Sequence, residues 1–182
     1  MSDLYFVTVV KDVVVNPSLG SVLPLFIFSF INDLIGIFPF ALALAGQLAF
    51  LKEPFTFAFA MKLLLFVSVP VGIGSAAGSV PFYILTYYGG KPAVSKFQKF
   101  LRLSWSDVEK VSLYFRGSWY DEIIFLLLRC VPVLPSIPLD LAAGFLRMNF
   151  VSFFILTLVG SIIRMMITFL VVGMALQGII NV

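Results

Sequence analysis

The chain has 182 residues, of which 61% are hydrophobic and only 12% charged, with a formal net charge of +3 and a mean hydropathy of +1.10. Soluble domains average roughly 45–50% apolar and about 25% charged, so a soluble fold would lack the polar groups to cover its surface. Histidine is absent and cysteine occurs once, at Cys130, which excludes Ser-His and Cys-His nucleophile pairs, zinc sites built on His or clustered Cys, and an intramolecular disulfide.

The opening stretch, residues 4–15, is apolar but interrupted by Lys11-Asp12, and Asp3 stands where a signal peptide would carry basic residues. Residues 1–17 therefore read as an interfacial lead-in and not as a cleavable signal. Four apolar blocks follow, at about 19–51, 55–88, 123–146 and 150–180, each with room for the roughly 20 residues that one crossing needs. The first is abnormal for a straight span. Asn32-Asp33, Gly36 and Pro39 fall in its middle, so 18–51 is expected to be a broken, re-entrant region turning near Pro39 and Gly46. The second block predicts a spanning helix over 55–88. Its Gly72, Gly74 and Gly78 share one face and suit close helix packing, as do Gly160 and Gly173 in the fourth block, which predicts a C-terminal spanning helix over 150–180. Packing alone is the plainer reading of these glycines.

Residues 89–122 form the polar segment and hold Lys91, Lys96, Lys99, Arg102, Lys110 and Arg116, half of the 12 basic residues. The positive-inside rule makes this segment cytoplasmic. Gly89-Gly90 followed by Pro92 reads as a helix stop and a helix start. Ser106-Asp107-Val108-Glu109 fits a capping box, predicting a helix from there to near Gly117. Phe97, Phe100, Leu101, Val108, Val111 and Phe115 give the segment an apolar side. It is either a pair of amphipathic helices on the cytoplasmic leaflet or an ordinary solvated connector. No nucleic-acid motif is present, and none is expected as partner.

In the third block, Pro132, Pro135 and Pro138 recur every third residue. Each costs roughly 3 kcal/mol inside a helix, and the spacing favours an extended, polyproline-like backbone. Such a backbone cannot face lipid, because its amides and carbonyls would go unpaired. Residues 123–146 are therefore expected to form a second re-entrant hairpin, closing near Gly144. The two halves echo one another: an apolar arm, an acid-and-proline break, an Ala-Gly step, then a long apolar helix. The fold expected is an all-α polytopic membrane protein in one domain, with two re-entrant hairpins facing each other among spanning helices as an inverted repeat.

Five ionisable residues lie in or beside the apolar blocks: Asp33, Arg129, Asp140, Arg147 and Arg164. Such a residue costs roughly 2.5–3.5 kcal/mol at the bilayer centre, so each should pair or face water. Two acids against three arginines leave one cation over, and a lipid phosphate can take it through paired Arg hydrogen bonds. Arg129 and Arg164 are the candidate phosphate ligands. Asp33 and Asp140 would balance charge or carry a proton. The competing reading makes Arg129 and an acid a structural pair that holds the hairpin. Arg147 suits an interface, where its stem can snorkel, and Cys130 suits packing.

The run Arg129-Cys-Val-Pro132-Val-Leu-Pro135-Ser-Ile-Pro138-Leu-Asp140-Leu-Ala-Ala143-Gly144, followed by Met148 and Phe153, resembles the signature of the DedA / VTT-domain (SNARE-associated) superfamily. Upstream, Gly74-x-x-x-Gly78-Ser79-x-x-x-Tyr83 is similar to that family's Gly-x-x-x-Gly-Asp-x-x-x-Tyr. The likeness covers about residues 25–177. It departs from the bacterial pattern at Ser79, which replaces an acid, at Pro135, which replaces a second arginine, and after Pro39, where the first-loop acid is missing. The resemblance implies two facing re-entrant hairpins and movement of phosphate-bearing lipids, phospholipids or polyprenyl phosphates, between leaflets. A lipid flippase or scramblase is accordingly expected, not an enzyme, with membrane lipids as partners and no cofactor or metal. A homo-oligomer through the glycine faces would fit the same residues. The rivals are a proton-coupled carrier of a small solute and a non-transport assembly protein. The place expected is an integral, multi-pass position in a membrane, the cell membrane in a prokaryote.

Overall fold

Residues 14, 17–35, 40–50, 56–101, 105–113, 115, 120–132 and 134–180 are described by the structure, a computed structural model. Among them all regular secondary structure is helical. The first helix, α1 (Leu19–Ile35), starts where the Ser21 amide donates to the Ser18 carbonyl at 3.1 Å. Next come α2 (Phe40–Gly46) and a 3₁₀ turn (Gln47–Phe50). The expected break at Gly36 and Pro39 falls on residues 36–39, which lie outside the described residues.

Thr56 caps α3 (Phe57–Leu63) by accepting from the Phe59 amide at 3.3 Å. This helix runs through a π turn (Leu64–Ser68) into α4 (Val69–Leu101). Pro70 follows the π turn and lacks an N–H, so the local hydrogen-bond ladder has to be rearranged there. Gly90, at φ 55 and ψ −150, breaks α4, as Gly89-Gly90 predicted. Only glycine adopts that backbone without cost.

The helix predicted from the Ser106 capping box starts slightly earlier and ends sooner: α5 spans Trp105–Ser112. Its last turn closes on the Glu109 carbonyl, which accepts from the Leu113 amide at 3.1 Å and from the Ser112 hydroxyl at 2.7 Å. The apolar side of α5 does not lie open to a leaflet. Val108 is buried with Phe82, Val94, Ile137, Leu141 and Ala142, and the Trp105 ring meets Phe145 edge-on at 5.0 Å.

The proline triplet is broken differently from a continuous extended run. Helix α6 (Asp121–Cys130) ends at Val131, whose ψ is 119. Helix α7 (Ser136–Phe145) begins after Pro135, which sits at φ −66 and ψ 135 as the residue before the helix. Pro138 is the third residue of α7. A first-turn amide has no partner inside its helix, so a proline there forfeits nothing. Val131 and Pro135, at the two ends of the break, are extended, while Pro138 lies inside a helix. Asn149 then caps α8 (Phe150–Ile180), its Oδ1 accepting from the Val151 amide at 2.9 Å.

Two helical stretches are long and apolar enough to cross a membrane, Phe57–Lys96 and Phe150–Ala175. They pack on each other, with α1 along α4, α6 along α8, and α7 against α4. Small residues set these approaches. A Cβ at Gly74 would strike the Phe26 carbonyl oxygen, and one at Gly78 would sit 2.7 Å from the Phe30 carbonyl oxygen. At Gly72 it would meet Ile162 at 2.6 Å, and at Gly160 the Arg129 Cγ at 2.7 Å. The contacts of these glycines are therefore made inside the chain. Gly144 packs where a Cβ would collide with the Tyr83 carbonyl and the Thr86 hydroxyl. It brings α7 against α4, while the turn itself is made by Arg147 at φ 53. Gly46 has nothing within 4 Å of a Cβ.

Candidate functional site

Arg129 is the largest of the fully buried side chains, 1% exposed. It stands one residue from the end of α6 and reaches into the space between α4, α7 and α8. Its Nη1 donates to Asp140 Oδ1 at 2.6 Å, and Asp140 is also 1% exposed. Its Nη2 donates to Ser79 Oγ at 2.8 Å and Ser75 Oγ at 3.4 Å, both from α4. Asp33, near the end of α1, lies 3.9 Å from the same Nη2. A guanidinium can be buried in an apolar protein only when its donors are met in this way.

Hydroxyls tie the charges together. The Ser75 hydroxyl donates to Asp33 Oδ2 and lies 2.9 Å from Ser161 Oγ of α8. The Ser136 hydroxyl, first in α7, donates to Asp33 Oδ1 at 3.5 Å. One turn beyond Ser161, Arg164 donates from Nη2 to the Pro132 carbonyl at 2.8 Å. That carbonyl is left free by the non-helical linker. Arg164 Nε is buried without a hydrogen-bond partner among the described residues.

Asp33, Arg129, Asp140 and Arg164, drawn from four helices, thus meet at one place. Arg147 does not join them. It is exposed on the turn between α7 and α8, with its guanidinium 6.0 Å from the centre of the Tyr87 ring. Among the described residues the interior balance is therefore two acids against two cations, without the surplus cation counted from the sequence. Pro132 contributes its carbonyl, Pro135 and Pro138 shape the start of α7, and Gly160 makes room for the Arg129 stem. Pro39 lies outside the described residues. Cys130 is half-buried.

Sequence reasoning missed the hydroxyls Ser75, Ser136 and Ser161, and it passed over Lys62, which is exposed near the start of the Phe57–Lys96 stretch. A signal existed in the helical period. Ser75 and Ser79 are four apart, and Ser161, Arg164 and Thr168 recur along one face of α8. Ser79, where the resemblance has an acid, still contacts Arg129, and the carboxylates come from Asp140 and Asp33.

At the other end of α7, the Tyr83 hydroxyl donates to the Met148 carbonyl at 2.5 Å, and the Tyr83 ring stacks on Phe153 at 4.5 Å. This aromatic joint fixes the α7–α8 turn against α4. It carries no charge cluster of its own.

A family model for the VTT domain matches residues 50–174, the stretch that contains Arg129, Asp140, both α4 serines and Arg164. The chain belongs to the VTT-domain family. It is, with its two long apolar helices, a membrane protein. Asp33 lies before the matched stretch, so α1 adds to the VTT domain a carboxylate from outside it. Searches of curated proteins and of solved structures returned no match.

Proposed function

We propose that this VTT-domain protein is a lipid translocase, moving a phosphate-bearing lipid between leaflets without covalent chemistry. The observation that carries this reading is the cluster of buried Arg129 and Asp140 with half-buried Asp33 and Arg164, joined by four serine hydroxyls, in a chain otherwise so apolar. A headgroup crossing a bilayer loses its water, and ionised groups with hydroxyls can replace part of that hydration. The tails can stay outside, along faces such as Leu23, Ile27 and Ile31 of α1, which are exposed.

The element lengths support a thinned barrier. Helices α6 and α7 have 10 residues each, about 15 Å of rise, half of a hydrocarbon core of roughly 30 Å. In our reading they are the arms of a re-entrant hairpin whose linker lies near mid-membrane, and the region of α1 and α2 is its counterpart. The likeness of the two packings, α1 on α4 and α6 on α8, favours an inverted repeat around the cluster. The basic segment of residues 91–116 is assigned to the cytoplasmic side.

The test is reconstitution into liposomes with labelled phospholipids and polyprenyl phosphates. Purified protein should speed the loss of leaflet asymmetry for at least one of them, and Arg129→Ala should abolish it. If none of these lipids moves and Arg129→Ala leaves cellular function intact, the translocation reading is lost.

A further inference from the structure

Helix α7 is covered by protein along its length. From Ile137 to Gly144 all eight consecutive residues are buried. Leu139 and Ala143 lie in a cluster with Phe125 of α6 and Phe153 of α8, and Gly144 lies against the Tyr83 carbonyl of α4. Ile137, Leu141 and Ala142 lie under Val108 of α5, with Val111 packed against the same cluster. The Trp105 ring closes the end of this cover, edge-on to Phe145 at 5.0 Å. So enclosed, α7 offers no face to lipid, although in the translocation reading the tails of the moving lipid have to pass the hairpin.

The neighbours differ in how they hold α7. Towards α6 the Arg129–Asp140 pair is closed at 2.6 Å, and parting it strands two buried charges. Towards α4, backbone meets backbone at Gly144. The α5 contacts just named are between apolar side chains, and the face beneath them is one that lipid tails cover as well as protein does. Helix α5 is itself two-sided. Ser106, Glu109 and Lys110 are exposed on it, and Lys110 lies 3.8 Å from Asp107. Its apolar side can rest on α7 or, as that of an amphipathic helix, on the leaflet.

The chain that leads towards α5 turns at Gly90, at φ 55 and ψ −150, where only glycine rotates freely. Beyond that turn, Val94 is buried in the same cluster as Val108, and the Lys91 ammonium stands 6.0 Å from the centre of the Trp105 ring. The segment after Gly90 and α5 are thus joined to each other and seated on α7 together.

We propose, resting on the translocation reading, that α5 and the segment after Gly90 form a lid on the hairpin, and that the structure shows the lid closed. Opening turns the segment at Gly90 and moves the apolar side of α5 from α7 to the leaflet. Ile137, Leu141 and Ala142 then face lipid, which gives the tails a route along α7 while Arg129 and Asp140 stay paired behind it. Trp105 is the latch, because its ring touches Phe145 of α7 on one side and Lys91 of the hinged segment on the other.

The test follows the lid and the lipid separately. In liposomes of the full chain, Val108→Cys is labelled by a charged maleimide present on both sides of the membrane, with the native Cys130 of α6 as the reference thiol. Labelling at position 108 should be slow, because it waits for opening. Adding Trp105→Ala should speed it by about tenfold and leave Cys130 as it was. Separately, in a Cys130→Ser background, Trp105→Cys and Phe145→Cys are bridged by a short bis-methanethiosulfonate. The bridged protein should stop moving labelled phospholipid, and reduction should restore the movement. An unchanged labelling rate with Trp105→Ala, or equal acceleration at position 108 and Cys130, overturns the lid. Bridged protein that moves lipid as fast as reduced protein also overturns it and leaves the translocation reading standing. If reduced protein moves no lipid either, that reading is lost, and the labelling rates alone decide the lid.

Discussion

At the scale of the residue, the Arg129–Asp140 contact decides how mutations in the cluster should be read. Both groups are out of water, so removing one strands the other. Arg129→Ala or Asp140→Ala should each lower unfolding stability by about 3–5 kcal/mol, seen as a large drop in Tm in detergent. Replacing both together, Arg129→Met with Asp140→Leu, leaves no buried charge from this pair and should recover most of that loss. A refolded but transport-dead double variant separates the role of the pair from its stabilising effect. Loss of stability equal to the sum of the single variants would instead mean that the two side chains do not act as a pair. The sequence pointed to both residues because charges in apolar runs are expensive. It did not reveal that Ser75 and Ser79 complete the guanidinium's shell, since serines in a span are ordinary until a charge is seen beside them.

At the scale of the element, the glycines separate into two kinds. Gly144 lies against the backbone of α4, whereas Gly46 faces open space. Gly144→Val should therefore cost about 1–3 kcal/mol or more, by forcing α7 away from Tyr83. Gly46→Ala should be neutral or stabilising by up to about 1 kcal/mol, through the unfolded chain. Thermal unfolding of the two variants side by side checks both, and equal costs would refute the distinction. Arg147 provides a third case. Its φ of 53 costs a non-glycine residue about 1–2 kcal/mol, partly offset by its place beside the Tyr87 ring, worth about 0.5–1 kcal/mol when exposed. Arg147→Gly should be neutral to stabilising by up to about 1 kcal/mol, because the strain it relieves is at least as large as the ring contact it loses. Arg147→Val should destabilise by at least about 1 kcal/mol, because it keeps the strain and loses the ring contact. From the sequence, Ala143-Gly144 looked like the turn. The turn lies three residues on, because Gly144 is held inside α7 by its packing on α4.

At the scale of the whole molecule, the basic segment is tied to the core. Val108 lies in a buried cluster with Ile137 and Leu141 of α7, and Val111 packs against it, so two residues of the apolar side that the sequence offered to a leaflet pack on protein. Periodicity shows that a helix has an apolar side and says nothing of what that side meets. The orientation assigned to the segment makes a direct prediction. In a Cys130→Ser background, a cysteine placed at Lys96 should react with a membrane-impermeant thiol reagent from the cytoplasmic side alone. Labelling from the opposite side would reverse the topology. The same background should fold, since Cys130 is half-buried and Ser is close in size.

What the sequence determined by itself is the membrane class, the helical character, the two long helices, the family and the presence of charged residues within the apolar blocks. These follow from composition, from unbroken apolar length, and from residue types whose burial is costly wherever they fall. What only the tertiary structure decided is how the charges combine. Asp33 and Arg129 are 96 positions apart by their numbers, and nothing local brings them together. The close approach of α1 to α4 over Gly74 and Gly78 does. Arg147, on the turn between α7 and α8, lies outside the interior, which leaves two acids facing two cations among the described residues. A one-dimensional count of charges gave a surplus cation, because it lacked the distances over which charges compensate.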